Sequence, residues 1–223
     1  MHHYHQVKET VSLAASKCGR NPADITLLAV SKNHPFSVIQ EVHGAGCCDF
    51  GENRVLEALS KIDVAPTDIR WHLIGTLQKN KINKILGKFA LVHSIDTPEL
   101  AEALSAASVR AGLVTSVLLQ VNTSGEESKQ GLSESEWLKD MAQVISLEGL
   151  SVEGLMTMAP FVDDQNVVRH CFRKLREFKS LVEREFEVHL PHLSMGMSQD
   201  YQIAIEEGAT IIRIGTAIFG ERG

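Results

Sequence analysis

No run of about 18 uninterrupted apolar residues occurs anywhere in this 223-residue chain, so no helix is expected to cross a membrane. The amino terminus also lacks the long apolar segment of a signal peptide, and the protein is expected in the cytoplasm. Cysteine is scarce. Cys18, Cys47, Cys48 and Cys171 show no C-x-x-C spacing, and the Cα atoms of neighbouring residues, about 3.8 Å apart, lie closer than an ordinary disulfide allows. All four read as reduced, mostly buried thiols. Dense basic clusters are missing from a chain of net charge −6 and pI near 5.9. Lys79, Lys81, Lys84 and Lys88 gather around one predicted helix, where a solvated face accounts for them, so no nucleic-acid partner is expected. His2, His3 and His5 have no further ligand nearby and read as a solvent-facing helix start, so no metal site is expected. Linkers rich in Pro, Gly or Ser are absent too. With 43% hydrophobic and 22% charged residues, the chain reads as one globular domain over residues 1–223.

What is present is a succession of apolar, strand-like runs. They cover about residues 25–30, 48–50, 71–74, 91–94, 114–121, 150–156, 191–194 and 210–214, the second being the weakest. Helix-like stretches with recognisable ends lie between them. Thr97-Pro98-Glu99 supplies an N-cap, a first-position proline and a first-turn acid, and Gly112 closes that helix. Ser133-x-x-Glu136 is a capping box. A long segment over about residues 163–186 carries Val167, Cys171, Leu175 and Phe178 at helical spacing. Ser198 or Asp200 opens a helix that Gly208 ends.

Strand–helix alternation implies a parallel sheet with helices outside it. No G-x-G-x-x-G follows the first strand, which counts against an open dinucleotide-binding sheet. The spacing predicts an α/β fold of the (β/α)8 TIM-barrel type, although the chain is shorter than the ~250 residues usual for it. Only a short tail follows the eighth strand. An extra N-terminal helix, about residues 3–18, is expected to fill the gap in the outer ring.

In such barrels the chemistry sits at the carboxyl ends of the strands. Lys32 ends the first apolar run, where an amine can attack carbonyl carbons. The seventh run leads into Ser194-Met195-Gly196-Met197-Ser198, just before a helix start. Two hydroxyls, a glycine and helix N–H groups there suit an anion. Gly215 and Thr216, after the eighth run, add a second backbone-plus-hydroxyl element. Arg213 stands between apolar neighbours inside a short strand, and a buried guanidinium demands an anion or a strong acceptor. Pyridoxal 5′-phosphate matches the set, with an aldehyde for the lysine, a phosphate for the cradle and a ring nitrogen for the arginine. A phosphorylated sugar in a Schiff-base aldolase satisfies the first two groups. Spacing alone does not choose between them.

Several motifs resemble the pyridoxal phosphate homeostasis protein family. They include Ala29-Val30-Ser31-Lys32, Phe50-Gly51-Glu52-Asn53-Arg54, Trp71-His72-Leu73-Ile74-Gly75, His93-Ser94-Ile95-Asp96 and Gly154-Leu155-Met156-Thr157-Met158. Val121-Asn122-x-Ser124-Gly125-Glu126-x-Ser128-Lys129-x-Gly131, Leu193-Ser194-Met195-Gly196-Met197-Ser198 and Arg213-Ile214-Gly215-Thr216 extend the series. The resemblance runs from about residue 25 to 222 and implies a barrel similar to the amino-terminal domain of alanine racemase. It implies that Lys32 holds pyridoxal phosphate as a covalent aldimine and that Ser194, Gly196, Ser198, Gly215 and Thr216 hold its phosphate. It also implies that Arg213 lies near the ring nitrogen or phosphate, and that Asn53 and Met195 line the pocket.

The family's role is vitamin B6 homeostasis, so a carrier that buffers or delivers the cofactor is expected, with no catalytic residue. PLP-dependent apo-enzymes are the candidate recipients, and a monomer is expected. The alternative is a PLP-dependent amino-acid racemase, which needs acid–base groups on both faces of the substrate carbon. Tyr4 and Tyr201 are the only tyrosines, and neither is expected to serve the second face.

Overall fold

The computed structural model describes residues 2–126 and 130–220. Eight strands run Thr26–Val30 (β1), Asp49–Glu52 (β2), Arg70–Leu73 (β3), Leu91–Ile95 (β4), Thr115–Gln120 (β5), Leu150–Met156 (β6), His192–Ser194 (β7) and Ile211–Ile214 (β8). Each pairs in parallel with the next, and β8 returns to β1, closing a barrel. The helices are His2–Lys17 (α1), Phe36–Gly44 (α2), Val55–Ile62 (α3), Ile82–Ile85 (α4), Pro98–Arg110 (α5), Glu134–Ile145 (α6), Gln165–Phe186 (α7), Tyr201–Glu206 (α8) and Thr216–Phe219 (α9). This is the (β/α)8 barrel that the spacing predicts.

Local chemistry explains the ends of these elements. Thr97 caps α5 by accepting the Leu100 N–H at 3.2 Å, with Pro98 at the first position. At α6, Ser133 and Glu136 form a reciprocal capping box. The α7 stripe differs from expectation by one position: Val167 is exposed, and Val168 faces the core with Cys171, Phe172, Leu175 and Phe178. Because α9 is a single turn, α1 lies against both α8 and α9 and completes the outer ring. Arg20, just after α1, donates to the Ile205 carbonyl at 2.8 Å and fastens that closure.

The core has two parts. A large shell between sheet and helices includes Trp137, fully buried, whose indole N–H donates to the Gln120 carbonyl at 2.9 Å. Inside the barrel, Leu28, Leu91, Leu118, Met156 and Ile211 form a small apolar plug. Met158 packs on that plug. Buried polar side chains also lie on the strands, among them His72, His93, Ser194 and Arg213.

Cys47 and Cys171 are buried, whereas Cys18 is exposed. Ser128 and Lys129 of the polar 122–131 segment lie outside the described residues. No helix among the described residues is long and apolar enough to cross a membrane.

Candidate functional site

A cleft of about 860 Å³ opens at the carboxyl ends of the strands. Lys32, Asn53, Ser198, Arg213, Gly215 and Thr216 all border it. The structure therefore brings together the strand-end lysine, the strand arginine and the hydroxyl-bearing turns, although they are far apart in sequence.

Lys32 is half-buried, two residues past the end of β1. Its neighbours on both sides are clamped. Ser31 Oγ donates to Glu52 Oε1 at 2.6 Å, and Lys61 Nζ bridges the Ser31 carbonyl (2.9 Å), Glu52 Oε1 (2.7 Å) and Glu57 Oε1 (2.8 Å). On the other side, the Asn33 N–H donates to Glu57 Oε1 at 2.5 Å, with Asn33 at φ +65°, a left-handed conformation that Asn tolerates. Glu52 and Glu57 thus fix the backbone that carries Lys32. Burial pushes the Glu52 carboxyl above its ordinary range, against the pull of Lys61 and Ser31. Sequence reasoning missed this clamp, and the i,i+4 pair Glu57–Lys61 was its one visible signal.

Asn53 follows β2 at the cleft wall. Its backbone is pressed by the chain leaving β3, where a Cβ on Gly75 would sit 2.2 Å from the Asn53 carbonyl oxygen. Asn53 Oδ1 is buried without a hydrogen-bond partner. A buried orphan acceptor carries a cost of about 1–3 kcal/mol, and a donor on a ligand would relieve it.

Arg213, on β8, is 4% exposed. Its Nη1 donates to Ser194 Oγ at 2.7 Å and its Nη2 to the Thr157 carbonyl at 2.9 Å. Among the described residues no carboxylate forms an ion pair with it. Burial lowers its pKa to about 10, while the Asp200 carboxylate pulls the other way. Two of the five guanidinium N–H groups are thereby engaged, which leaves donor capacity at the cleft.

Ser198 and the α9 turn form the opposite wall. Ser198 Oγ faces the Ala217 N–H at 3.5 Å. Thr216 and Ala217 open α9, where first-turn N–H groups have no partner within the helix. The strand-seven turn is held by Asp200, whose Oδ1 accepts the Met197 N–H at 2.6 Å. Burial raises the Asp200 carboxyl.

Three expected site residues do not border the cleft. Ser194 is fully buried, its hydroxyl taken by Arg213 and by His93 Nδ1 at 2.9 Å. Successive strand residues face opposite ways, so Met195 turns into the shell between sheet and helices. Gly196 has φ +93°, and a Cβ there would lie 2.5 Å from Ala204 Cβ. Its glycine thus serves packing against α8, and its carbonyl accepts the Arg213 N–H at 2.9 Å. Sequence reasoning also missed Met197, Phe161 and His34 as cleft-lining residues. His34 stacks on Phe219 with ring centroids 4.8 Å apart.

These features fit a phosphorylated aldehyde bearing a heteroaromatic ring: an amine, a donor-rich arginine, an orphan amide oxygen and a hydroxyl–backbone cradle share one opening. Comparison with known proteins points the same way. Residues 4–223 match the alanine racemase N-terminal domain family. The chain is 44% identical over 219 residues to the pyridoxal phosphate homeostasis protein of Aquifex aeolicus, covering 97% of this chain and 96% of that one. It is 39% identical over 229 residues to the Escherichia coli K12 protein of the same name, covering 99% and 96%. Among solved structures, PipY of Synechococcus elongatus with PLP bound superposes at a TM-score of 0.83, with 36% identity over 94% of this chain and 100% of PipY. Alanine racemase of Corynebacterium glutamicum shares the fold alone, at a TM-score of 0.73 and 16% identity over 95% of this chain and 59% of the racemase. The chain belongs to the pyridoxal phosphate homeostasis protein family, built on the alanine racemase N-terminal domain.

Proposed function

We propose that this protein binds pyridoxal 5′-phosphate for vitamin B6 homeostasis, holding it covalently at Lys32 and buffering or delivering it without turnover. The observation that carries this reading is the convergence of Lys32, Arg213, Ser198, Gly215 and Thr216 on one cleft. The names of the relatives and the ligand of PipY support it. When bound, the cofactor would supply an aldehyde, an electrophile for an amine. Lys32 provides that amine on a strand end clamped by Glu52, Lys61 and Glu57. Ser198, Thr216 and the Thr216 and Ala217 N–H groups that open α9 would hold the phosphate. Arg213 would hold the ring end as a donor and disfavour protonation of the ring nitrogen. Asn53 Oδ1 accepts from the ligand.

A carrier is favoured over a racemase because the second face of the site has no phenol. Tyr4 is buried on α1 and Tyr201 packs on the core shell, and neither borders the cleft. His34 leaves the same strand end as Lys32, and Asp200 is spent on the Met197 N–H. In this reading the protein acts in the cytoplasm as a single chain, with apo-enzymes as recipients.

Borohydride reduction of the loaded protein, followed by intact-mass and peptide analysis, tests the attachment. The adduct should map to Lys32, and Lys32→Ala should lose both the adduct and the near-visible absorbance. An adduct on another lysine would overturn the assignment. Sustained L-to-D amino-acid conversion, lost in Lys32→Ala, would replace the carrier with a racemase.

A further inference from the structure

A file of buried polar side chains crosses the barrel lumen and ends on Arg213. It begins at the opposite rim, where Arg70 Nε donates to Asp49 Oδ1 at 2.7 Å. Asp49 and Arg70 also line a separate cavity of about 420 Å³ there. Asp49 Oδ1 lies 3.2 Å from His72 Nε2, and His72 Nδ1 lies 3.0 Å from His93 Nε2. His93 Nδ1 lies 2.9 Å from Ser194 Oγ, which receives Arg213 Nη1 at 2.7 Å. His93 and Ser194 are fully buried and His72 nearly so, so water does not complete these bonds.

The two ends of the file fix its direction. A guanidinium only donates, so Ser194 Oγ accepts from Arg213. A carboxylate only accepts, so His72 Nε2 carries a hydrogen toward Asp49. Burial pushes the Asp49 carboxyl up, but the hydrogen bonds of His72 and Arg70 outweigh it and hold the group below its ordinary range. His72 Nδ1 then takes the acceptor side of its contact with His93, and the His93 Nε2–H donates to it. Burial, with His72 and Arg213 nearby, holds His93 far below the usual imidazole range, so it stays neutral. Its Nδ1 must then accept, and the only hydrogen available is the Ser194 hydroxyl proton. Both imidazoles, the Ser194 hydroxyl and the Asp49 carboxylate are satisfied in this direction. In the reverse direction the Ser194 oxygen would face donors from both sides and its own proton would need another acceptor.

We propose that Asp49, His72, His93 and Ser194 are positioning residues that act through one another on Arg213. The relay locks both imidazoles as Nε2–H tautomers and turns the Ser194 lone pairs toward the guanidinium. Arg213 is thereby held in one orientation, with its remaining donors available to the ring end of the ligand. The inference rests on the reading of the cleft as the pyridoxal phosphate site, and it assigns Ser194 to the ring end, away from the phosphate.

Two measurements separate the relay from that reading. In the ligand-free full chain labelled with 15N-histidine, ring-nitrogen shifts report the tautomers directly. His72 and His93 should both carry hydrogen on Nε2 and a bare Nδ1 at neutral pH. An Nδ1–H tautomer, or a doubly protonated ring, at either position would overturn the proposal whatever the protein binds. Next, pyridoxal phosphate and inorganic phosphate are titrated as separate probes. Asp49→Asn, whose amide can also donate to His72, should mix the His72 tautomers and weaken pyridoxal phosphate binding by about tenfold. Inorganic phosphate binding should not change. Ser194→Ala cuts the relay at its other end, should give the same selective loss, and serves if Asp49→Asn does not fold. Equal weakening of both probes, or of neither, would reduce the file to lumen packing and overturn the proposal. Failure of the unmodified protein to bind pyridoxal phosphate, with the tautomers as expected, would instead refute the reading of the cleft.

Discussion

Glu207, which precedes β8, and Arg213, within β8, are both buried charges, yet they are compensated in different ways. The Glu207 carboxylate, after α8, meets Arg169, Arg173 and Arg176 of α7 at 3.1, 3.2 and 2.9 Å. Burial alone would raise its carboxyl, but the arginines outweigh burial and hold it below the ordinary range. Among the described residues, Arg213 has only a hydroxyl and a carbonyl as hydrogen-bond partners. A charge closed off by opposite charges fastens one helix to another. A charge answered only by neutral oxygens, beside an open cleft, has room for a ligand. In the proposed reading, the same element of chemistry serves stability in one place and binding in the other.

That contrast can be broken by exchange of effects. Glu207→Gln should destabilise the fold by about 3 kcal/mol at neutral pH, a drop in melting temperature of roughly 10 °C, with pyridoxal phosphate affinity within about twofold. Because the folded carboxyl titrates below its unfolded value, its contribution is complete at neutral pH. It fades as pH falls below about 4.3 and is lost through the lower folded pKa. The gap between the two proteins in thermal melts should narrow over that acid range. A gap independent of pH would remove the charge explanation. Arg213→Gln should do the opposite, weakening cofactor retention by about a hundredfold while the melting temperature shifts by only a few degrees. Unchanged affinity in equilibrium dialysis would erase its binding role. The smallest effect is expected for Ser198→Ala, about tenfold in affinity for both pyridoxal phosphate and inorganic phosphate. This variant sharpens the comparison, since a phosphate-end change should lower both affinities and a ring-end change only one.

Much of the barrel was legible because parallel strands buried on both faces read as apolar runs. The weakest run, at 48–50, continues to Glu52, and its polar end broke the pattern. Glu52 is a strand residue nonetheless, because it turns to Lys61 and Ser31. Val167 misled because helical spacing leaves the phase of the stripe uncertain by one residue, and only packing against the sheet selects Val168.

That Lys32, Ser198, Arg213, Gly215 and Thr216 border one cleft was legible as strand-end and turn chemistry, and Asn53 through family resemblance. That Ser194, Met195 and Gly196 do not border it was not legible, since a sequence run does not say which residue the pleat aims inward. The lumen relay was invisible for a different reason. His72 and His93 are 21 residues apart and His93 and Ser194 are 101 apart, and no local pattern records a pairing at that distance.

β8 hydrogen-bonds directly to β1, with Arg213 opposite Leu28 and Ile214 opposite Ala29. The chain's earliest and latest strands thus meet along a single seam. In the proposed reading, a molecule anchored at residue 32 and gripped at residues 213–216 would staple that seam from above. Occupancy should therefore oppose the opening of the whole sheet, beyond its local loops, and protect amides throughout the barrel from hydrogen exchange. During synthesis, no grip can form until the last strand has left the ribosome.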